Sequence, residues 1–412
     1  MFRLLALAAA ATLAVLLFSP AAGATLRGRL SDALASSGVP WSKTGALVTN
    51  LSTGHVLYAR GRSRPLRPAS NEKLTVTLGV LDRLGPSARI PTRVIGLGGR
   101  DGNLWRGSMF LKGYGDPTLK VRDLRRLAAR IRARGIRRLT GHVLGDESYF
   151  DARRTAPGWK PSFYKLECPP LTALIVARGK RGDRTSSNPA KLAARRFRTA
   201  LRRAGVAVPK TVRLGVAPAH GRVLARTSSP KVATIVRRMN HRSDNFFAEM
   251  LLKRLGKVQR GRGTTDAGLT SVRRVLRQRG IPRRGIRLVD GSGLSLYDRL
   301  TARTIGRLLR NAYRDDSIRP AFFDSLPRAG VEGTLEDRMR REPARGYVRA
   351  KTGTTDNASA LSGYVGRKYV FSVLQNGNPV PYTSSRASQD RFAQILAARA
   401  PLTGRTSRVT TR

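Results

Sequence analysis

Acidic residues are scarce in this chain. Its 412 residues hold 25 Asp and Glu against 79 Lys and Arg, a formal net charge of +54. Cysteine is scarcer still: Cys168 stands alone, so no internal disulfide can form and stability must come from an apolar core. With no His and Asn context of its own, Cys168 reads as a small buried hydrophobe. Only four histidines occur, and none sits in a Ser-His-Asp pattern. There is no G-x-S-x-G elbow, no phosphate-binding P-loop and no metal-ligand cluster, so neither a cofactor nor a metal is expected. Past residue 24 no segment is apolar enough to span a bilayer. Repeats and low-complexity tracts are absent too, and a 40% hydrophobic content suits a globular chain long enough for two or three packed units.

What remains is basic, and mostly arginine: 65 Arg to 14 Lys. Such an excess attracts polyanions, whether nucleic acid, an acidic membrane surface or an anionic cell wall; genome composition alone can also produce the bias. The charge runs along the whole chain, which suits a solvated basic surface better than a nucleic-acid patch. The first 24 residues select among these partners. Arg3 precedes an apolar run from Leu4 to Phe18, then Ser19-Pro20 and the small residues Ala22-Gly23-Ala24. That is the layout of a secretory signal with its cleavage site, an uncleaved anchor being the alternative. An exported chain meets anionic wall polymers and little nucleic acid, so the former are the expected partners of the charge and no nucleic acid is expected.

The pattern downstream alternates strands and helices. Ala46–Thr49 and His55–Tyr58 read as strands across a Ser-Thr-Gly turn. After Pro68, Leu74, Leu78 and Leu81 share one helical face until Gly85-Pro86. Strands around Val94-Ile95 and Met109–Leu111 flank Asp101-Gly102. A helix with Leu124, Leu127, Ala128 and Ile131 follows, then a strand over Leu139–Leu144, a mixed loop and strand region over Pro169–Ile175, and a helix over Pro189–Ala204. Two helices then meet at "HRSDN", His241 to Asn245, the second predicted to end at Gly256. Three antiparallel strands from Tyr347 and a last helix with Phe392, Ile395 and Leu396 complete the pattern, ahead of a polar tail, 401–412.

Against this background "PASNEKLTV" stands out, because it places Lys73 three residues after Ser70 at a helix start. Positions i and i+3 share a face, so the amine can reach the hydroxyl. A serine is a poor nucleophile until a base takes its proton. Lysine can be that base when its pKa is pulled down by burial or a nearby cation, and arginine cannot. The free N–H groups at the helix start could also hold an oxyanion. Ser-x-x-Lys alone is common. Two further stretches strengthen it: Ser243-Asp244-Asn245 in an interhelical break, and Lys351-Thr352-Gly353 on a strand. In that order they are the three motifs of class A β-lactamases and penicillin-binding proteins.

The chain thus resembles the penicillin-binding D-alanyl-D-alanine carboxypeptidases/endopeptidases of low-molecular-mass class C, the penicillin-binding protein 4 type. "GYGDPTL", "GHVLGDESYFD", "PPLTAL", "DGSGLSLYDRLTA", "GVEGTL" and "KTGTTDNASALSGYV" follow that family's order through nearly the whole mature chain. Lys73 and Ser243 lie 170 positions apart, far more than in a class A β-lactamase. The resemblance implies an α/β (α+β) fold: a serine β-lactamase/DD-peptidase-like domain, an antiparallel sheet flanked by helices, built from 25–90 and 226–400. One smaller domain would be inserted at 91–225, where relatives often carry two. It also implies roles. Ser70 would be the acylated nucleophile, Lys73 its base, Ser243 the proton relay to the leaving D-alanine and Asn245 a ligand of the peptide backbone. Lys351 would sustain a positive field, Thr352 and Thr354 would bind the terminal carboxylate, and Gly353 would allow close approach of a substrate strand. The backbone N–H groups of Ser70 and Thr354 would form the oxyanion hole. Peptidoglycan stem peptides would be substrates and β-lactams covalent inhibitors. Two alternatives stay open: a β-lactamase or esterase on the same scaffold, and a non-catalytic basic wall-binding protein. The "DGSG" segment reads as either a tight turn or a direct participant.

Overall fold

The computed structural model describes residues 25–400; the expected signal segment, 1–24, and tail, 401–412, lie outside the described residues. The order of the longer elements is α1 (Leu26–Ala35), β1 (Thr44–Asn50), β2 (Val56–Arg60), α2 (Lys73–Leu84), β3 (Arg89–Asp101), β4 (Leu104–Gly113), α3 (Val121–Ala133), β5 (Val143–Asp146), α4 (Pro189–Arg203), β6 (Val212–Leu214) and β7 (Arg222–Lys231). There follow α5 (Val232–His241), α6 (Asn245–Arg260), α7 (Thr265–Gln278), α8 (Ala302–Arg314), β8 (Val348–Thr355), β9 (Ala358–Val365), β10 (Tyr369–Asn376) and α9 (Tyr382–Arg399).

Two sheets organise the chain. The first is antiparallel, in the order β8-β9-β10-β1-β2, so the chain's two ends meet in its middle where β1 pairs with β10. Both faces of this sheet are covered, and β9 is buried along its length. On one face Val48, Phe371 and Val373 pack with Leu30 and Leu34 of α1 and Phe392 and Leu396 of α9. On the other, Tyr364 and Leu374 meet Leu308 and Leu309 of α8 and Leu74 and Leu78 of α2, backed by α5, α6 and α7. The second sheet, β7-β3-β4-β5-β6, carries α3 and α4 on one face. Its core includes Val94, Met109, Leu111, Leu127, Ile131 and Phe197, each contributing about 1.5–3 kcal/mol on burial.

Several elements differ from the sequence-based expectation. The second motif helix does not stop at Gly256 but runs to Arg260, where Gly261 caps it in a left-handed conformation. Gly256 serves packing: a Cβ there would stand 2.6 Å from the backbone nitrogen of Gly268 on α7. The strand expected over 139–144 is split into Arg138–Leu139 and β5, both parallel neighbours of β4. Pro169–Ile175 forms no strand, yet Leu171, Ala173, Leu174 and Ile175 are buried as filler between the two units. Strand β7 remains in the second sheet to Lys231, whose register partner is Arg89.

Candidate active site

Ser70 lies in a 3-10 turn, Ala69–Glu72, that feeds directly into α2. Ala69 holds the left-handed conformation, φ 45°, a strain of about 1–3 kcal/mol that surrounding contacts must sustain. Gly293 is one of them: it packs so closely under the turn that a Cβ would fall 1.9 Å from the Ala69 carbonyl oxygen. Lys73 opens α2 and is fully buried. Its Nζ lies 2.8 Å from Ser70 Oγ, 2.8 Å from Asn245 Oδ1 and 2.6 Å from the Ser292 carbonyl oxygen. A neutral amine has two hydrogens and one lone pair. Asn245 Oδ1 and the Ser292 carbonyl can only accept, so they take the two hydrogens. When charged, the amine donates to Ser70 Oγ as well; when neutral, its lone pair faces the Ser70 hydroxyl, which then donates to it.

The second motif lies where α5 hands over to α6. Ser243 adopts φ 52°, again left-handed, and Asp244 caps α6 by accepting from the Phe247 N–H at 3.1 Å. Arg178, from the inserted unit, grips the same aspartate at 2.6 Å. Asn245 is therefore the first helical residue and points back to Lys73, while its amide nitrogen donates to the Glu167 carbonyl at 3.2 Å. Ser243 Oγ accepts from Lys351 Nζ at 2.8 Å.

Lys351 sits on β8, an edge strand, and its pleat sorts the third motif. Lys351 and Gly353 are buried, whereas Thr352 is partly exposed and Thr354 exposed. Gly353 faces the Ser70 turn, where a Cβ would meet the Pro68 carbonyl oxygen at 2.8 Å, so it permits a close approach of strand to turn. Asn71 clamps the same junction by donating to the Lys351 carbonyl at 3.0 Å. The three motifs meet in one cleft of about 330 Å³, whose lining includes Ser70, Ser243, Asn245, Thr352 and Thr354. Thr334, Tyr382 and Arg386 also line it, and only the first lies in a segment with a family signature.

Burial sets the electrostatics. It lowers the Lys73 amine to about 8, against an opposing pull from Asp290, Asp244 and Glu249. Lys351 is pushed well down, first by burial and then by the Lys73 charge. Behind Lys73 stand four buried carboxyl groups: Glu72, Glu249, Asp290 and Asp298. Burial raises Glu72, Glu249 and Asp298, and the neighbouring Asp290 charge adds to each. Asp290 accepts from the Gly293 and Ser295 N–H groups, the Ser292 hydroxyl and Trp159 Nε1 at 2.7–2.9 Å. Glu249 accepts from the Gly291 and Ser292 N–H groups at 2.9 and 2.8 Å. The "DGSG" segment is thus a tight turn that two carboxyls hold so that the Ser292 carbonyl reaches the Lys73 amine. Sequence reasoning missed Glu72 and Glu249, which lack any motif beyond proximity to one. Cys168 is buried, and burial raises its thiol well above the ordinary range, as an inert packing residue requires.

A serine bonded to a buried lysine, a second lysine–serine pair and an edge strand beside them define a serine acyl-transfer enzyme of the β-lactamase/DD-peptidase type. The chain belongs to the D-Ala-D-Ala carboxypeptidase 3 (S13) family, serine-type D-Ala-D-Ala carboxypeptidases, which it matches over residues 26–185 and 176–399. It is 32% identical to a D-alanyl-D-alanine carboxypeptidase of Actinomadura sp. strain R39, over 87% of this chain and 82% of that one. Its fold is similar to the crystal structure of penicillin binding protein 4 from Haemophilus influenzae, with a TM-score of 0.80 at 20% identity, covering 90% and 98% of the two chains. A structure of that protein complexed with a β-lactam matches with a TM-score of 0.72 at 21% identity, again covering 90% and 98%.

Proposed function

We propose that this carboxypeptidase is exported and removes the terminal D-alanine of peptidoglycan stem peptides through an acyl-enzyme on Ser70. Lys73 takes the Ser70 proton as Oγ attacks the penultimate D-Ala carbonyl. The resulting oxyanion is held by the backbone N–H groups of Ser70 and Thr354. The C–N bond then breaks, and Ser243, paired with Lys351, passes a proton to the leaving D-alanine nitrogen. Water later cleaves the ester and restores Ser70. β-Lactams enter by the same attack, in line with the β-lactam complex of the Haemophilus protein.

The single observation that carries this reading is the 2.8 Å contact between Ser70 and a buried Lys73 whose other two acceptors are already fixed. Arg386 favours cutting at a free C-terminus over cutting a cross-link. It lines the cleft, its guanidinium donates to the Tyr382 hydroxyl, and among the described residues it has no carboxylate partner, so it is open to a terminal carboxylate. Export is supported by the Arg3 to Ala24 pattern; among the described residues no helix is long and apolar enough to cross a membrane.

The test is D-alanine release from a purified stem pentapeptide. Wild type releases one D-alanine per peptide and Ser70→Ala releases none. Release that survives in Ser70→Ala would remove the nucleophile from the account. Fast multiple-turnover hydrolysis of penicillin with no lasting adduct would favour the β-lactamase alternative.

A further inference from the structure

Two helices of the inserted unit, α3 and α4, carry eleven Lys and Arg and one acidic residue, Asp123, in 28 positions. That is well above the average charge of a chain with +54 over 412 residues, so the general arginine bias does not account for it. Between the helices runs a trough of about 450 Å³, lined by Arg125, Arg181, Arg195, Arg196 and Arg203 over an apolar floor that includes Val121, Leu192 and Ala200. Among the described residues, Arg125, Arg181, Arg195 and Arg203 have no carboxylate partner: Asp123 on α3 pairs with Arg126, and other acids pair elsewhere. Arg196 is pre-organised: its guanidinium donates to the Val176 carbonyl at 3.0 Å and to the Lys180 carbonyl.

Five guanidinium groups gathered without counter-charge repel one another, and an anion relieves that repulsion. Arg195, Thr199 and Arg203 fall at i, i+4 and i+8, a stripe about 12 Å long on α4. A single small anion cannot span it; a chain with repeated charges can. Guanidinium matches phosphate oxygens with paired, planar hydrogen bonds. The shape also selects the source of the phosphate. The trough is concave, and none of the exposed large hydrophobic side chains lies on α3 or α4, so nothing is offered to insert into a bilayer.

We infer that the trough between α3 and α4 binds a single chain of a phosphodiester-bearing wall polymer, with Arg125, Arg195 and Arg203 as the contact residues and Arg196 as a fixed anchor. The natural occupant follows from the export reading, but the binding itself does not depend on it. The site lies close to the chemistry along the chain: the Val176 and Lys180 carbonyls held by Arg196 flank Arg178, which pairs with Asp244 beside Ser243. Docking on the trough would hold the cleft against the wall.

The test uses poly(glycerol phosphate) as probe, with the intact chain at about 0.15 M salt. Arg125→Ser/Arg195→Ser/Arg203→Ser should bind about tenfold more weakly and keep wild-type penicillin labelling. A control triple, Arg62→Ser/Arg303→Ser/Arg307→Ser, removes the same charge from another arginine-lined hollow and should bind within about twofold of wild type. Equal weakening by both triples would reduce the trough to net charge alone and overturn the inference. So would wild-type binding by the trough triple, or a trough-dependent preference for phosphatidylglycerol vesicles over the polymer. Normal labelling with lost binding separates failure of this site from failure of the catalytic reading.

Discussion

At the residue scale the chemistry turns on one proton. With Lys73 lowered to about 8, roughly one amine in ten is neutral at pH 7. The neutral fraction rises with pH, so the rate of Ser70 acylation should climb close to tenfold per unit below 8 and flatten above it. Lys73→Arg cannot lose its proton, and its acylation rate should fall about a thousandfold at every pH. Stopped-flow measurement with a chromogenic cephalosporin reads both; a flat profile in wild type would contradict the assignment. The Asp290 turn acts one step removed, by aiming the Ser292 carbonyl. Asp290→Asn removes acceptor capacity from a group holding four donors, and should cost about a hundredfold in acylation through misplacement of the amine. Its pH profile should move as well, which a purely structural lesion would not cause.

At the element scale the site depends on close backbone contacts that composition does not announce. Gly293→Ala would drive a methyl into the Ala69 carbonyl at a positive φ, and should destabilise the protein by about 2–4 kcal/mol, read from the urea midpoint. An unchanged midpoint would mean that the turn has slack. The motifs themselves were legible: Ser70, Lys73, Ser243, Asn245 and Lys351 each lie where helix starts, breaks and strand patterns suggest, and the terminal three-stranded run matches β8, β9 and β10. Helix ends were less legible, because Gly256 looks like a stop while acting as a contact surface for α7. The packing of Gly353 against the Pro68 carbonyl was hidden for a similar reason, since what a strand residue's face meets is set by tertiary packing and not by its letters. Glu72 and Glu249 stayed hidden because a buried acid resembles a solvated one until tertiary packing removes the water.

At the scale of the whole molecule, the buried carboxyl group cluster leaves a mark on stability. A carboxyl raised by burial is protonated in the folded state after its unfolded counterpart has ionised near pH 4.5, so its contribution falls as pH rises toward the folded value. Glu72→Gln cannot ionise. Its stability relative to wild type should therefore grow between pH 5 and 8, by up to about 1.4 kcal/mol per unit, followed by thermal denaturation. A constant difference would show that Glu72 carries no raised pKa. The fold has a sheet whose middle strands come from opposite ends of the chain, and an inserted unit that reaches back through Arg178 to the Ser243–Asn245 loop. That closure brings segments as distant as Ser70, Ser243 and Lys351 together around one cleft. The most direct measurement is peptide mapping by mass spectrometry after brief exposure to benzylpenicillin. One penicilloyl group per chain, on the peptide containing Ser70 and absent from Ser70→Ala, is the expected result; an adduct on any other serine, or one that survives the substitution, would contradict the account.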